Sequence, residues 1–142
     1  MIKTDKTGEA SRSLKEIKKA ERLEKETKIK ALCEAYAKEK FGENVVVTLS
    51  NANKGVWFLP ILNEDEDEVE KLLIMKPINR HILSYATSKM ESEGLYAFLE
   101  SAMRECVLRG DIEILDDDEY FIPASQKFNA ILEGKKAALV KR

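Results

Sequence analysis

Side chains that bind transition metals are scarce in this chain. Its 142 residues include two cysteines, Cys33 and Cys106, and a single histidine, His81. A structural zinc ion needs about four nitrogen or sulfur ligands, so the composition excludes a structural zinc site. The cysteines are far apart and each stands in an apolar helical pattern, which predicts reduced thiols in the core rather than a disulfide.

Long apolar segments are also lacking. No run approaches the roughly 20 apolar residues that a membrane-spanning helix requires. Residues 1–6 alternate apolar, polar and charged side chains and do not resemble the apolar stretch of a signal peptide. The sequence therefore predicts a cytoplasmic protein without a membrane span.

Patterns typical of enzymes are missing as well. The six glycines are isolated, which argues against a glycine-rich phosphate loop, and no Gly-x-Ser-x-Gly elbow is present. His81 lies at the start of a predicted helix without a partner nucleophile, so we interpret it as a surface or capping residue. We expect no catalysis, no cofactor and no metal, and assign no residue to these roles.

Two acidic runs, 64–70 and 116–119, raise the question of calcium binding. Six of the seven residues 64–70 are acidic, and they are consecutive and lack glycine. The ligands of an EF-hand loop alternate instead and surround a central glycine. We therefore predict a solvated loop at 64–70, and at 116–119 a helix start, where negative charge is favourable.

Charge is unevenly distributed along the chain. Residues 1–40 carry 12 basic and 8 acidic side chains, whereas residues 41–142 carry 12 and 18. This asymmetry predicts a basic, partly disordered helical arm at 1–27 and a single α+β domain at 28–142. Four arm residues are candidates for contacts with phosphates or an acidic partner: Lys15, Lys18, Lys19 and Arg22.

The periodicity predicts an α+β fold with a long N-terminal helix, a small three-stranded antiparallel sheet and three C-terminal helices. The helix starts at Ser11 or Ser13 and ends near Phe41. Short apolar or β-branched runs predict strands at 45–49, 56–62 and 71–75, the first two forming a hairpin, with Pro60 indicating an edge or bulge. Apolar side chains at helical spacing predict helices at 78–91, at 95–109 and from about Asp116 onward, whereas 112–115 is ambiguous.

From Leu72 onward the order of short motifs resembles a known family. The motifs are Met75-Lys76-Pro77, Ile82-Leu83-Ser84-Tyr85-Ala86-Thr87-Ser88-Lys89, Glu105-Cys106-Val107-Leu108-Arg109-Gly110-Asp111, Glu113-Ile114 and Asp117-Asp118-Glu119-Tyr120-Phe121. They resemble small proteins encoded among the tail genes of tailed phages and prophages, of the tail assembly chaperone type. The resemblance implies a non-enzymatic role in the host cytoplasm: shielding the apolar helices of the tape measure protein, or binding another tail protein, until tail-tube subunits polymerise.

Such a role needs apolar side chains that a partner helix can reach. We expect partner contacts from helices 78–91 and 95–109 and from the strand at 56–62, with four candidates: Trp57, Tyr85, Phe98 and Met103. The alternative for each of them is packing in the core. The alternative is a virion structural or nucleic-acid-associated protein that uses the basic arm. The sequence leaves open whether the protein self-associates.

Overall fold

The computed structural model describes the backbone of residues 2–132 and 137–142 and the side chains of residues 13–132 and 137–142. The fold is α+β, as predicted, with a long N-terminal helix, a three-stranded antiparallel sheet and several C-terminal helices. In chain order the elements are α1 (Ile2–Lys40), α2 (Val45–Asn53), β1 (Trp57–Leu62), β2 (Val69–Met75), α3 (Arg80–Glu93), α4 (Leu95–Cys106), β3 (Val107–Gly110), α5 (Glu113–Asp116) and α6 (Asp118–Leu132).

The sheet has the order β1-β2-β3, with both pairs antiparallel. β1 and β2 form a hairpin whose turn is the acidic run. Asn63 organises this turn, because its side-chain Oδ1 accepts hydrogen bonds from the backbone N–H groups of Asp67 and Glu68 at 2.9 and 3.0 Å. Residues 64–68 are exposed and form the hairpin turn, which confirms the solvated loop for that part, whereas Val69 and Glu70, also assigned to the loop, begin β2.

The predicted strand at 45–49 is wrong, and with it the hairpin that paired this segment with 56–62. The segment belongs to α2. Val45, Val46 and Leu49 pack together beside the sheet while Val47 is 62% exposed, which is the spacing of a helix face. A five-residue apolar run does not by itself distinguish strand from helix.

The third strand comes instead from residues that the sequence assigned to the end of the helix at 95–109. α4 ends at Cys106 and β3 follows immediately. The backbone N–H of Lys76 donates to the carbonyl of Cys106 at 2.8 Å, and a bulge between Ile74 and Met75 adjusts the register. Pairing with β2 therefore overrides the local helical pattern of residues 107–109. The ambiguous segment 112–115 contributes to the short helix α5.

β2 is buried on both faces and separates two cores. Leu73 and Met75 point into the main core, which α3, α4, α5 and α6 close. Leu72 and Ile74 point into a second core, which α1 and α2 close. Cys33 lies in the second core and Cys106 in the main core, both fully buried and free, which confirms that the two thiols are core residues.

α1 packs on the sheet only with its C-terminal part. All described side chains from residue 13 to residue 28 are exposed, and packing begins at Ile29. The helix continues without interruption through the predicted boundary at 27 and begins before Ser11, earlier than expected. One salt bridge joins the exposed part to the hairpin turn, between Lys25 Nζ and Glu66 Oε2 at 2.7 Å, and it lowers the pKa of Glu66.

Asp111 fastens α1 to the sheet. Its Oδ2 accepts hydrogen bonds from the Tyr36 hydroxyl at 2.7 Å and from the Leu72 N–H at 3.0 Å, while its own N–H donates to the Leu72 carbonyl at 2.9 Å. Burial, followed by the hydrogen bond to Asp111, raises the pKa of Tyr36. Gly110 precedes this residue at φ 152°, where a Cβ would lie 2.4 Å from the Leu72 carbonyl oxygen.

Candidate functional site

An apolar groove opens where the start of β1, the end of β2 and the end of α6 meet. It has a volume of about 510 Å³. Its walls are mostly apolar: Trp57, Met75, Lys76, Pro77, Ile78, Phe128, Ile131 and Leu132. We call this surface the Trp57 groove. A cavity of this size and lining is typical of a site that receives apolar groups.

Local sequence explains why these residues converge. Trp57 and Met75 are paired across the β1–β2 hairpin, so the first residue of one strand lies beside the last of the other. Pro77 stops β2, and Asn79 then caps α3 by accepting a hydrogen bond from the Ile82 N–H at 3.0 Å. The segment between the two elements forms one wall of the groove.

α6 forms the opposite wall. Phe128 is buried in the main core, while Ile131 and Leu132, three and four residues further on, lie half-buried on the same face of the helix. The groove is therefore a continuation of the main core that reaches the surface at the end of α6.

Trp57 also borders a second, smaller groove on its other side. This groove has a volume of about 280 Å³ and lies between β1 and α1, with Ile29, Cys33 and Phe58 among its lining residues. Trp57 itself is 50% exposed. A large aromatic side chain between two apolar depressions is typical of a binding hot spot.

Comparison with known proteins adds no assignment. The chain matches no protein family, no curated protein and no solved structure.

The structure separates the four predicted partner residues. Trp57 lines the groove, and Tyr85 is 57% exposed on α3 but is not part of the groove lining. Phe98 and Met103 are 6% and 0% exposed in the main core. The prediction that these two present an apolar surface on the helix at 95–109 is wrong, because the strong apolar stripe of α4 is what packs it into the main core.

The basic candidates of the arm are accessible. Lys15, Lys18, Lys19 and Arg22 all lie in the exposed part of α1. With 3.6 residues per turn, these four positions fall within about 100° of the helix circumference. They form one basic stripe.

Other residues considered from sequence do not form a site in the described part of the chain. His81 is exposed at the start of α3. Burial raises the pKa of Cys33 to about 12 and that of Cys106 to about 11, which is the opposite of what a reactive thiol requires. Among the described residues no three His, Cys, Asp or Glu side chains converge as metal ligands, and no described helix is long and apolar enough to cross a bilayer.

Sequence reasoning identified Trp57 of this groove and missed the wall that α6 forms. Trp57 was a candidate because it and Phe58 are adjacent on a strand, so that their side chains point to opposite faces. The contribution of Ile131 and Leu132 was not recognisable, because their helical spacing predicts only a buried face. What places them at a surface depression is the packing of α6 against β1, which is a tertiary contact.

Proposed function

We propose that this protein is a non-enzymatic assembly chaperone of the kind encoded among phage tail genes, and that it holds a helical partner, the tape measure protein or another tail protein, in the Trp57 groove. The motif order from Leu72 onward supports the family, and the exposure of Trp57 between two apolar depressions supports the binding mode. The protein acts in the cytoplasm of the bacterial host.

The geometry suits an amphipathic helix better than an extended or globular partner. Helix-in-groove recognition uses apolar anchors at spacings of three, four and seven residues, which project from one face. The two depressions on either side of Trp57 offer separate receptacles for successive anchors. The partner is then released when a surface that covers its helices more completely, such as that of the tail-tube subunits, binds them in competition.

The test is co-expression with the proteins of the neighbouring tail genes, followed by pull-down. We expect capture of a long helical protein by the natural chain and its loss in Trp57→Asp. The matched control is Leu95→Asp, which changes a side chain of similar exposure, 46%, outside the groove lining. Circular dichroism of both variants checks that each is folded.

Two outcomes contradict the proposal. Capture that survives Trp57→Asp removes the groove from the binding mode. Recovery of this chain as a stoichiometric component of purified virions removes the chaperone role, because a chaperone leaves before assembly is complete.

The basic stripe on α1 favours a second candidate, a virion or nucleic-acid-associated protein that contacts phosphates through Lys15, Lys18, Lys19 and Arg22. Affinity for phosphates falls steeply with salt. Fluorescence anisotropy with a duplex oligonucleotide at low and high salt distinguishes the candidates: strong, salt-sensitive binding that disappears when the four residues are replaced by Glu favours the second candidate. Absence of such binding in the natural chain excludes it.

A further inference from the structure

β3 has an outer edge that no other strand covers in the described part of the chain. In the sheet order β1-β2-β3 it is the last strand, and only β2 pairs with it among the described residues. On its free side lies a groove of about 650 Å³, lined by all four residues of β3 together with Lys40, Phe41, Arg104, Ile112 and Leu115. An unpaired strand edge presents N–H and C=O groups that a further strand can take up.

The opposite edge of the sheet is protected, which makes the exposure of β3 informative. β1 carries Pro60, which has no N–H to donate, and a register shift between Ile61 and Leu62. α6 also packs against β1. Proteins commonly block an edge strand with proline or a bulge, and β1 carries both.

The rim of the groove at β3 is basic. Lys40, Arg104 and Arg109 line it. Arg104 already bridges Glu100 and Asp116, but Lys40 and Arg109 take part in no salt bridge in the described part of the chain. The Arg109 guanidinium lies 5.5 Å from the centre of the Phe41 ring, a cation–π contact that orients it at the edge.

The charge selects the occupant. A second copy of the chain would bring a second basic rim, with its own Lys40, Arg104 and Arg109, against this one, and like charges at close range repel each other. Carboxylate side chains would instead pair with Lys40 and Arg109. The apolar residues Ile112 and Leu115 line the same groove and suit the alternate side chains of an extended segment, since successive residues of a strand point to opposite faces.

We propose that β3 is a docking edge for an extended acidic segment of a partner protein, which adds to the sheet as a fourth strand beside Val107–Gly110. This surface is separate from the Trp57 groove, so the proposal is independent of the proposed function. Main-chain hydrogen bonds provide the pairing, and Lys40 and Arg109 provide the preference for acidic side chains.

The probe is a fluorescein-labelled peptide that alternates valine and glutamate over about eight residues, the upper length of a typical strand. We expect saturable binding by anisotropy, weaker at high salt because exposed charges are screened. Arg109→Glu in the protein weakens binding about ten-fold, the effect of about 1.4 kcal/mol. Arg80→Glu, the same substitution at an exposed position of α3 outside this groove, leaves binding unchanged.

The pairing itself is tested on the probe, which avoids any effect on folding of the protein. Methylating alternate backbone nitrogens along one edge of the peptide removes its donors on that side while keeping its charge. Loss of binding for this peptide, together with slowed hydrogen exchange in residues 107–110 for the unmodified one, supports the fourth strand.

Three results overturn the proposal. The first is that the unmethylated peptide does not bind. The second is that methylating the backbone nitrogens of either edge leaves the peptide binding as well as the parent, which shows a merely electrostatic contact. The third is that a single-stranded oligonucleotide binds at β3 and displaces the peptide at equal concentration, which identifies the basic rim as a phosphate site.

Discussion

The two faces of β2 differ in how completely they are covered. The main core contains 15 buried residues from β1, β2 and four helices, whereas the second core contains four, surrounded by partly buried neighbours. Hydrophobic stabilisation scales with the apolar area removed from water. The α1–α2 layer is therefore the more weakly attached of the two, and the layer of α3 to α6 holds the fold.

The proposed binding surfaces lie at the borders between these layers. Trp57 separates a groove that belongs to the main core from one that belongs to the α1 side. The groove at β3 joins Phe41, from the second core, to Leu115, from the main core. A partner that fills both depressions beside Trp57, or one that binds at β3, would contact both layers and would strengthen the attachment of α1.

The largest effect is expected at Gly110, whose backbone lies against that of Leu72 and Leu73 in β2. In Gly110→Ala the new methyl group would lie 2.4 Å from the Leu72 carbonyl oxygen and 2.8 Å from the Leu73 Cα, at a φ of 152° that side chains rarely adopt. We expect a loss of about 4–5 kcal/mol in the free energy of unfolding, the upper end for one substitution, measured by urea denaturation.

Gly94→Ala is the control for this prediction. Gly94 also has a positive φ, 96°, but a Cβ there would meet nothing within 4 Å. Only the backbone cost of about 1–2 kcal/mol is expected. Equal losses for the two variants would show that the close approach between Gly110 and β2 is unimportant.

The next prediction compares the two cores directly. Leu72 and Leu73 are adjacent on β2 and both fully buried, but they face different layers. We expect Leu73→Ala to cost about 3–5 kcal/mol and Leu72→Ala about 2–3 kcal/mol, because a partly exposed surround relaxes more easily around a cavity. Equal losses in urea denaturation would contradict the difference between the layers.

β2 was the easiest element to predict. Leu72-Leu73-Ile74-Met75 is a continuous apolar run, and a strand covered on both faces reads in that way. The same reasoning failed for the β-branched run at 45–49. This run belongs to α2, and Val45, Val46 and Leu49 pack on one face of that helix. β-branched residues favour strands only where a sheet is present to receive them, and β1 is paired with β2 instead.

The remaining differences have the same origin in non-local contacts. Nothing between Cys106 and Arg109 signals the change from helix to strand, because pairing with β2, more than 30 positions earlier in the chain, decides it. The candidate site followed the same pattern. Trp57 was identified from the sequence, whereas the β3 edge and the wall from α6 depend on how distant elements meet.

A third prediction uses the fact that each core contains one thiol. Burial raises the pKa of Cys33 to about 12 and of Cys106 to about 11, from 9.0. The protonated thiol is favoured in the folded state, so its stabilising effect is complete below pH 9 and is lost as pH rises toward the folded pKa. Between pH 9 and 10 each thiol lowers the free energy of unfolding by at most about 1.4 kcal/mol.

The measurement is urea denaturation across that pH range for the natural chain, Cys33→Ala and Cys106→Ala. Each variant is expected to show a shallower decline, because one titrating group is removed. A decline that is the same in all three proteins would show that the thiols are not the cause. A stability that increases above pH 9 would show that the sign is wrong.

The smallest effect is expected at the hydrogen bond that holds α1 to the sheet. Tyr36→Phe removes the hydroxyl that donates to Asp111 Oδ2 at 2.7 Å, while Asp111 keeps its hydrogen bond from the Leu72 N–H. The acceptor stays partly satisfied, so we expect a loss of only about 0.5–1.5 kcal/mol. Tyr96→Phe is the control, because Tyr96 is 46% exposed and its hydroxyl has no hydrogen-bond partner in the described part of the chain.

Hydrogen exchange sharpens the comparison between the two layers. Exchange in residues 29–40 should accelerate in Tyr36→Phe while exchange in α4 is unchanged, since local opening of a weakly attached layer does not require the main core to open. Acceleration in both regions would show that the two layers open together, and that the difference between the two faces of β2 does not extend to their dynamics.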